Sequence, residues 1–365
     1  MEPVTHFLTG ACISRAGLNR KTAYATLTAV LAAEAADVDV FWGFAGPIEE
    51  LKRHRGITHT LIGAPFVAAV TVGLVWLWHL WFERRRRRKG TQDQECQPVH
   101  WVWLYGVALI AALSHLLLDW TTSYGLRPFF PFDAHWYAAS IVFIAEPVLW
   151  ALLFLAMLMP WILGLTDSEI GVRKQRFRGR GWAIFALAGM VALWCWRWVE
   201  QSQARASLEN IQVTAAPVTR MAFEPYPVNP YRWHVIMETP QYYQTAEMST
   251  WTGDVDSDPK RDVIYKPDVT PAVQVAKQTD LGRVYLDWGT WAVVRDLGHE
   301  PVPGVPPPDL PPGRTWTTVE FSDLRFAYSF LSSRGNGGRP PLSGWVYIVD
   351  SREEAGQGMG SRAQK

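Results

Sequence analysis

Histidines and carboxylates recur in four short groups along the first third of the chain: His6; Glu34, Asp37 and Asp39; His54 and His59; and His115 with Asp119. Imidazole nitrogen and carboxylate oxygen are donors that divalent cations take. A set without sulfur suits zinc, and manganese or iron less well. The sequence around these groups is strongly apolar. An ionisable side chain at the centre of a membrane helix costs about 2.5–3.5 kcal/mol on insertion scales, so such groups usually face a polar interior and serve a function.

Spacing sharpens the reading. His115 and Asp119 are four residues apart on a predicted helix, so both lie on one face and can approach one ion. The same pair could equally be a hydrogen-bonded polar contact between two helices. His54 and His59 are five apart with Gly56 between them, which no regular helix would align. A turn at Gly56, with Thr58 capping the next helix, would point both inward. Arg55, between the two, would neutralise a bound anion or else pair with Glu49 or Glu50. Asp37 and Asp39 would point about 200° apart on a helix, so both serve one site only if the chain is extended there, or each serves its own ion. Glu34, one turn before Asp37, is a candidate proton-transfer group, a supporting partner or a solvated side chain. The aromatic segment from Tyr124 to Tyr137 supplies Arg127 as a contact for a phosphate, although an interfacial aromatic belt explains the rings as well. Asp133 and His135 are lesser candidates, and His79, His100, His234 and His299 read as structural or surface residues.

The elements that must position these groups divide by composition. Four stretches are long and apolar enough to cross a bilayer, which takes about 20 residues as helix. They run from Leu61 to Phe82, Trp101 to Trp120, Ile141 to Leu163 and Trp182 to Val199, with tryptophans gathered near their ends. Before them, Pro3 to Ala16 and Ala23 to Phe41 form a weaker apolar pair joined at Gly17–Lys21, predicting a helical hairpin partly immersed in the bundle. From Ser207 onward, aromatic and β-branched residues alternate with polar ones at Tyr231–Glu238, Gly282–Trp288, Thr315–Phe321 and Gly344–Val349, predicting strands. Pro301–Pro312 reads as a stiff loop. The expected fold is a membrane α-helical bundle, four strong spans plus the N-terminal hairpin, with a C-terminal β-rich extracytoplasmic domain. Residues 1–200 would form the helical metal-site domain, 201–350 the β-rich domain and 351–365 a disordered tail.

Charge gives orientation and excludes some partners. A net charge of +1 argues against nucleic acid held by bulk electrostatics. The basic residues cluster at Arg84–Lys89 and Arg173–Arg180, where the positive-inside rule reads them as cytoplasmic flanks of an inner-membrane, multi-pass protein. That choice carries every candidate ligand to the extracytoplasmic end and places the β-rich part outside. Cys12, Cys96 and Cys195 form no CxxC pair, so neither a disulfide framework nor a zinc–thiolate site is expected. The start lacks the basic n-region of a cleavable signal peptide.

The stretch Pro-Val-Thr-His6-Phe-Leu-Thr-Gly, the Glu34-x-x-Asp37-x-Asp39 element, His54-Arg-Gly-x-Thr-His59 and Ser-His115-x-x-x-Asp119 resemble the YdjM-like family of membrane-bound, predicted metal-dependent hydrolases over about residues 1–160. That family is held to be distantly similar to zinc-dependent phospholipase C and P1-type nucleases. The resemblance implies His6, Asp37, Asp39, His54, His59, His115 and Asp119 as metal ligands. It also implies an acidic residue near Ser140, which this chain lacks, with Glu146 a few residues on as the nearest stand-in. The expected function is hydrolysis of a phosphoester or lipid-linked substrate at the outer face of the lipid bilayer. A divalent metal, zinc first, would be the cofactor, Glu34 and Arg55 the catalytic groups and Arg127 a substrate contact. The alternative is a non-enzymatic membrane protein whose His/Asp cluster is structural and whose β domain binds a partner.

Overall fold

The computed structural model describes residues 1–88, 97–169, 177–211, 213–332, 340–360 and 362–363. Lys89, Cys96 and the 173–176 part of the second basic run lie outside the described residues. The chain divides into two compact units. Unit 1 comprises Met1–Val38, Arg55–Ser202 and Pro225–Pro230; unit 2 comprises Asp39–His54, Gln203–Glu224 and Tyr231–Lys365. The helices in the first part of the chain are α1 (Pro3–Arg15), α2 (Ala25–Glu34), α3 (Pro47–Arg53), α4 (Gly63–Arg88), α5 (Trp101–Trp120), α6 (Pro147–Glu169) and α7 (Arg180–Glu209).

Unit 1 is helical. Among the described residues, four helices, α4 to α7, are long and apolar enough to cross a membrane. α5 is the central one, with 44% of its most apolar window buried against 17–22% for the other three. The third starts later than the sequence pattern predicts, at Pro147 rather than Ile141. Proline disfavours helix in the residue before it and fits the first helical position, so the helix begins there.

α1 and α2 form the predicted hairpin, and small residues set how closely it packs. Ala25, Ala29, Ala32 and Ala33 of α2 are buried against Ala68 of α4 and Val107, Ala108 and Ala111 of α5. Small side chains let backbones approach where apolar helices gain little from hydrophobic burial alone. At Gly10 of α1 a Cβ would meet the Ala29 carbonyl oxygen at 2.7 Å and the Ala33 Cβ at 2.9 Å, so glycine is required there. Beyond Glu34 the chain tightens into a 3-10 helix, Ala35–Ala45, instead of the regular helix expected to reach Phe41.

Unit 2 contains two five-stranded sheets. The first orders β1 (Arg220–Pro225), β2 (Arg232–Glu238), β3 (Tyr242–Ser249) and β4 (Val255–Asp256), with β5 (Val263–Tyr265) also paired to β3. Ala204 and Leu208, from the last turns of α7, pack into its core with Phe223, Trp233, Val235 and Met237. After α8 (Pro271–Gln278) and α9 (Asp280–Trp288), the second sheet is built from β6 (Ala292–Asp296), β7 (Trp316–Asp323), β8 (Gly344–Val349), β9 (Glu353–Met359) and β10 (Arg362–Ala363), in the order β10-β9-β8-β7-β6. β8 is buried on both faces. Gly344 lies against Leu281 of α9, while Trp345 and Tyr347 pack with Val302 and Val305 from the proline-dense segment.

Two expectations for this unit are corrected. Gly282–Trp288, predicted as a strand, belongs to helix α9. Thr279 caps it by accepting from the Gly282 amide at 3.1 Å, and Leu281, Tyr285 and Trp288 share one buried face at helical spacing. The tail predicted to be disordered from residue 351 supplies β9, which pairs antiparallel with β8. The domain boundary expected at 200 falls at Ser202, and residues 39–54 group with unit 2.

The close approach at Gly10 makes a prediction. Gly10→Val should lower the unfolding free energy of detergent-solubilised protein by about 1–3 kcal/mol through overpacking. Gly106→Ala, where a Cβ meets nothing within 4 Å, should leave the thermal midpoint unchanged or raised.

Candidate metal centre

The end of α5 sets the site. His115 and Asp119, one turn apart, are both fully buried. The alanine seam brings α2 close enough for His115 Nδ1 to hydrogen-bond the Ala33 carbonyl at 2.6 Å. A carbonyl only accepts, so this bond places the imidazole proton on Nδ1 and leaves the Nε2 lone pair facing the cluster. His6, one turn into α1, stacks on His115 with ring centroids 3.8 Å apart. Both His6 ring nitrogens are buried without a hydrogen-bond partner, and Nε2 lies 3.5 Å from Asp119 Oδ1.

The other two donors come from irregular backbone. The 3-10 helix after α2 delivers Asp37, and a short turn, Ile57–His59, delivers His59. That turn is fixed by Thr60, whose hydroxyl donates to the Ile57 carbonyl at 2.8 Å and accepts from the Gly63 amide at 2.8 Å. Thr60, rather than the predicted Thr58, therefore caps α4, while the Thr58 hydroxyl is 3.1 Å from His59 Nδ1.

Four donor atoms then converge. His59 Nε2 is 3.1 Å from Asp37 Oδ1, 3.1 Å from His115 Nε2 and 3.6 Å from Asp119 Oδ2. His115 Nε2 is 3.5 Å from Asp37 Oδ1 and 3.4 Å from Asp119 Oδ2. A tetrahedral ion with ligands at about 2.0–2.1 Å has six edges of about 3.3–3.4 Å, and the five separations above bracket that value. Among the described residues of unit 1, the sets of three whose donor atoms lie close enough to share one ion are His59, His115 and Asp119, and His6, Asp37 and His115. Asp119 Oδ2 is buried with no hydrogen-bond donor of its own, which leaves a lone pair for such an ion.

Asp119 is held from its other oxygen. Oδ1 accepts from Arg55 Nη2 at 2.8 Å and from the buried Met1 ammonium. Arg55 also donates to the Gly125 carbonyl and stacks over Tyr124 at 4.5 Å. Its backbone sits in the left-handed region, φ 56°, a conformation an arginine adopts only when its surroundings impose it.

The electrostatics keep the donors outside the spanning helices ready. Burial and the nearby His115 push His6 down to about 3, so its imidazole is neutral at physiological pH. Burial alone would raise Asp37, but the hydrogen bond from His59 and the neighbouring imidazoles outweigh it and hold the carboxyl at about 2. Glu34 goes the other way. Burial first, then repulsion from Asp37, lifts it to about 7, and its Oε1 is buried without a partner.

The structure brings together five of the predicted ligands within unit 1: His6, Asp37, His59, His115 and Asp119. Asp39 and His54 belong to unit 2, where their side chains meet each other at 3.1 Å. Arg55, expected at an anionic substrate, is 4% exposed and is taken up by Asp119, while Glu49 is engaged by Lys52 and Arg53 instead. Arg127 lies over the rings of Phe130 and Trp136, 5.0 and 4.7 Å from their centroids. Glu146 does not replace the acidic residue missing near Ser140. It is buried against Arg197 at 3.0 Å and accepts from the Val228 amide at 3.0 Å. Asp133 is used locally, accepting from the His135 amide and the Tyr137 hydroxyl. Arg197, an ionisable residue inside an apolar run and so visible in the sequence, is the partner that holds Glu146 away from the donors.

Residues 1–204 match the model of the YdjM inner membrane protein family. The chain is also similar to an uncharacterized protein, YfhP, of Bacillus subtilis (strain 168), at 22% identity over 173 residues. That match covers 45% of this chain and 47% of YfhP, so the chain spans about half the length of the curated relative it matches. No solved structure matches.

The buried ion pair at Asp119 is testable without any ligand. Asp119→Asn leaves the Arg55 guanidinium and the α-amino group buried against a neutral amide. It should cost about 3–5 kcal/mol of unfolding free energy in detergent. A double-mutant cycle with Arg55→Met should return a coupling of about 0.5–3 kcal/mol.

Proposed function

The chain belongs to the YdjM inner membrane protein family, and we propose that it is a multi-pass membrane hydrolase acting on a phosphoester or lipid-linked substrate through a divalent metal, zinc first. The observation that carries this reading is the convergence of Asp37, His59, His115 and Asp119 donor atoms, five of whose separations are 3.1–3.6 Å, at one end of the helical unit. A divalent cation held by these four would acidify a water and polarise a phosphoryl oxygen.

The remaining steps fall to the chain's own side chains. Glu34, poised near neutrality beside Asp37, accepts the proton of the attacking water as its P–O bond forms. It returns that proton to the leaving oxygen as the ester P–O bond breaks. Arg55 acts as a positioning group: it neutralises Oδ1 of Asp119 and leaves Oδ2 directed at the two imidazoles. His6, stacked on His115, fixes that ring and offers a further donor near Asp119.

Topology supports an outer-face substrate. The donors sit at the end of unit 1 opposite Arg20, Lys21 and the Arg84–Arg88 run, and the positive-inside rule puts that basic end in the cytoplasm. The β-rich unit would then lie outside. An alkaline phosphatase fusion after Val349 should be active, and one after Arg88 should be inactive; the reverse pattern would place the donors on the cytoplasmic side.

Protein purified in detergent should carry stoichiometric divalent metal by elemental analysis, lost in His59→Ala/His115→Ala. Glu34→Gln should keep the metal yet lower hydrolysis of a phosphodiester lipid by about 10²–10⁴-fold. Folded wild type that is free of metal and binds none on titration would end this reading.

A further inference from the structure

At the other end of unit 1 from the metal donors lies a cavity of about 500 Å³. His6 and Arg15 stand nine residues apart on α1, which separates the two sites by about 14 Å along that helix. One side of the cavity is polar and basic, with Arg15, Asn19, Thr22, Thr26, Gln97 and Arg178; the other is apolar, with Leu27, Met157, Pro160, Trp161 and Phe177. Among the described residues, none that lines it is acidic.

The polar wall is fixed rather than formed by loose surface side chains. Gln97 donates to the Asn19 carbonyl at 3.2 Å, Arg20 to the Phe177 carbonyl at 3.3 Å, and Arg180 to the Ala16 carbonyl at 3.0 Å. Thr26 and Ser14 share a hydrogen bond at 3.0 Å that joins α1 to α2 beside it. Asn19 Oδ1 is buried without a hydrogen-bond partner. The apolar wall includes Trp161 of α6, which is 61% exposed, and Leu27 of α2, which is 41% exposed. Guanidinium groups beside hydroxyls and amides fit a phosphate, and an apolar wall that opens laterally fits an acyl chain attached to it.

We infer that this cavity binds the phosphate headgroup of an anionic phospholipid drawn from the surrounding leaflet, with Arg15 and Arg178 as its charged contacts. The shared chemistry is a phosphate group. A lipid is favoured over the free anion because the apolar wall is continuous with the exposed flank of α6. The inference is independent of metal binding and stands on different residues.

The test is native mass spectrometry of the full chain released from micelles doped equally with phosphatidylglycerol and phosphatidylcholine. Each basic side chain near a membrane surface favours an anionic headgroup by about fivefold, so phosphatidylglycerol should be retained at least about fivefold over phosphatidylcholine. Arg15→Gln/Arg178→Gln should reduce that preference to less than about twofold, and Arg15→Lys/Arg178→Lys should retain most of it. Inorganic phosphate added as competitor distinguishes the sources. Persistence of the lipid adduct supports the lipid, whereas its replacement by a phosphate adduct keeps the phosphate site and overturns the lipid. Equal retention of the two lipids by wild type, a comparison that needs no variant to fold, overturns the inference, as does a preference unchanged in the glutamine pair.

Discussion

The carboxylate of Asp119 is the group around which unit 1 has to be arranged. It is fully buried in a helix whose length and composition suit a bilayer, where an unpaired ion costs several kcal/mol. Its two oxygens are served differently. Arg55 and the Met1 ammonium neutralise Oδ1, while Oδ2 faces only imidazole nitrogens. Each partner comes from a different part of the sequence, so the N-terminus, the turn before α4 and the end of α5 must be placed together for the carboxylate to stay ionised. Arg55 takes a left-handed backbone conformation to do so. The local strain is offset by a charge-assisted hydrogen bond in a low-dielectric setting, where such bonds are strongest.

The same demand explains the alanine-rich helices. The Ala33 carbonyl can fix the tautomer of His115 only if α2 and α5 approach closely, and larger side chains at Ala29, Ala33, Ala108 or Ala111 would hold them apart. Gly10 completes this packing from α1 and brings His6 against His115. Low side-chain volume is thus part of the site: it lets three apolar helices pack closely enough to bring their donors together.

Much of this was legible in the sequence, for identifiable reasons. Ionisable residues in apolar runs are conspicuous, and the i, i+4 spacing of His115 and Asp119 gives one helical face directly. The spans at Trp101–Trp120 and around Trp182–Val199 were marked by hydropathy alone. Legibility failed where local and long-range forces compete. The Gly282–Trp288 segment satisfies a two-residue alternation and also a helical face at Leu281, Tyr285 and Trp288, and the cap at Thr279 decides for the helix. That Asp37 and Asp39 are grouped with different units reflects the 3-10 turn after Glu34 and the grouping of residues 39–54 with unit 2. Neither is written in residue types. The pairing of Arg55 with Asp119 is not legible in the sequence, because a guanidinium beside two histidines suits an anionic ligand and a buried carboxylate equally well.

Position along the bundle then separates two kinds of charge. At one end carboxylates and imidazoles turn inward, away from water, where a cation relieves them. At the other, arginines gather around a cavity whose lining, among the described residues, has no acidic residue. An apolar bundle tolerates either arrangement only at its rim or in its core, since neither can face acyl chains directly. The helices place the first in the core and the second at the rim. This division follows from solvation: a group that must keep its charge without water needs fixed partners, as Asp119 has, whereas an arginine near the headgroups can draw its counter-charge from the membrane itself. The length of α1, thirteen residues from Pro3 to Arg15, is what allows one short helix to carry His6 into the first environment and Arg15 into the second.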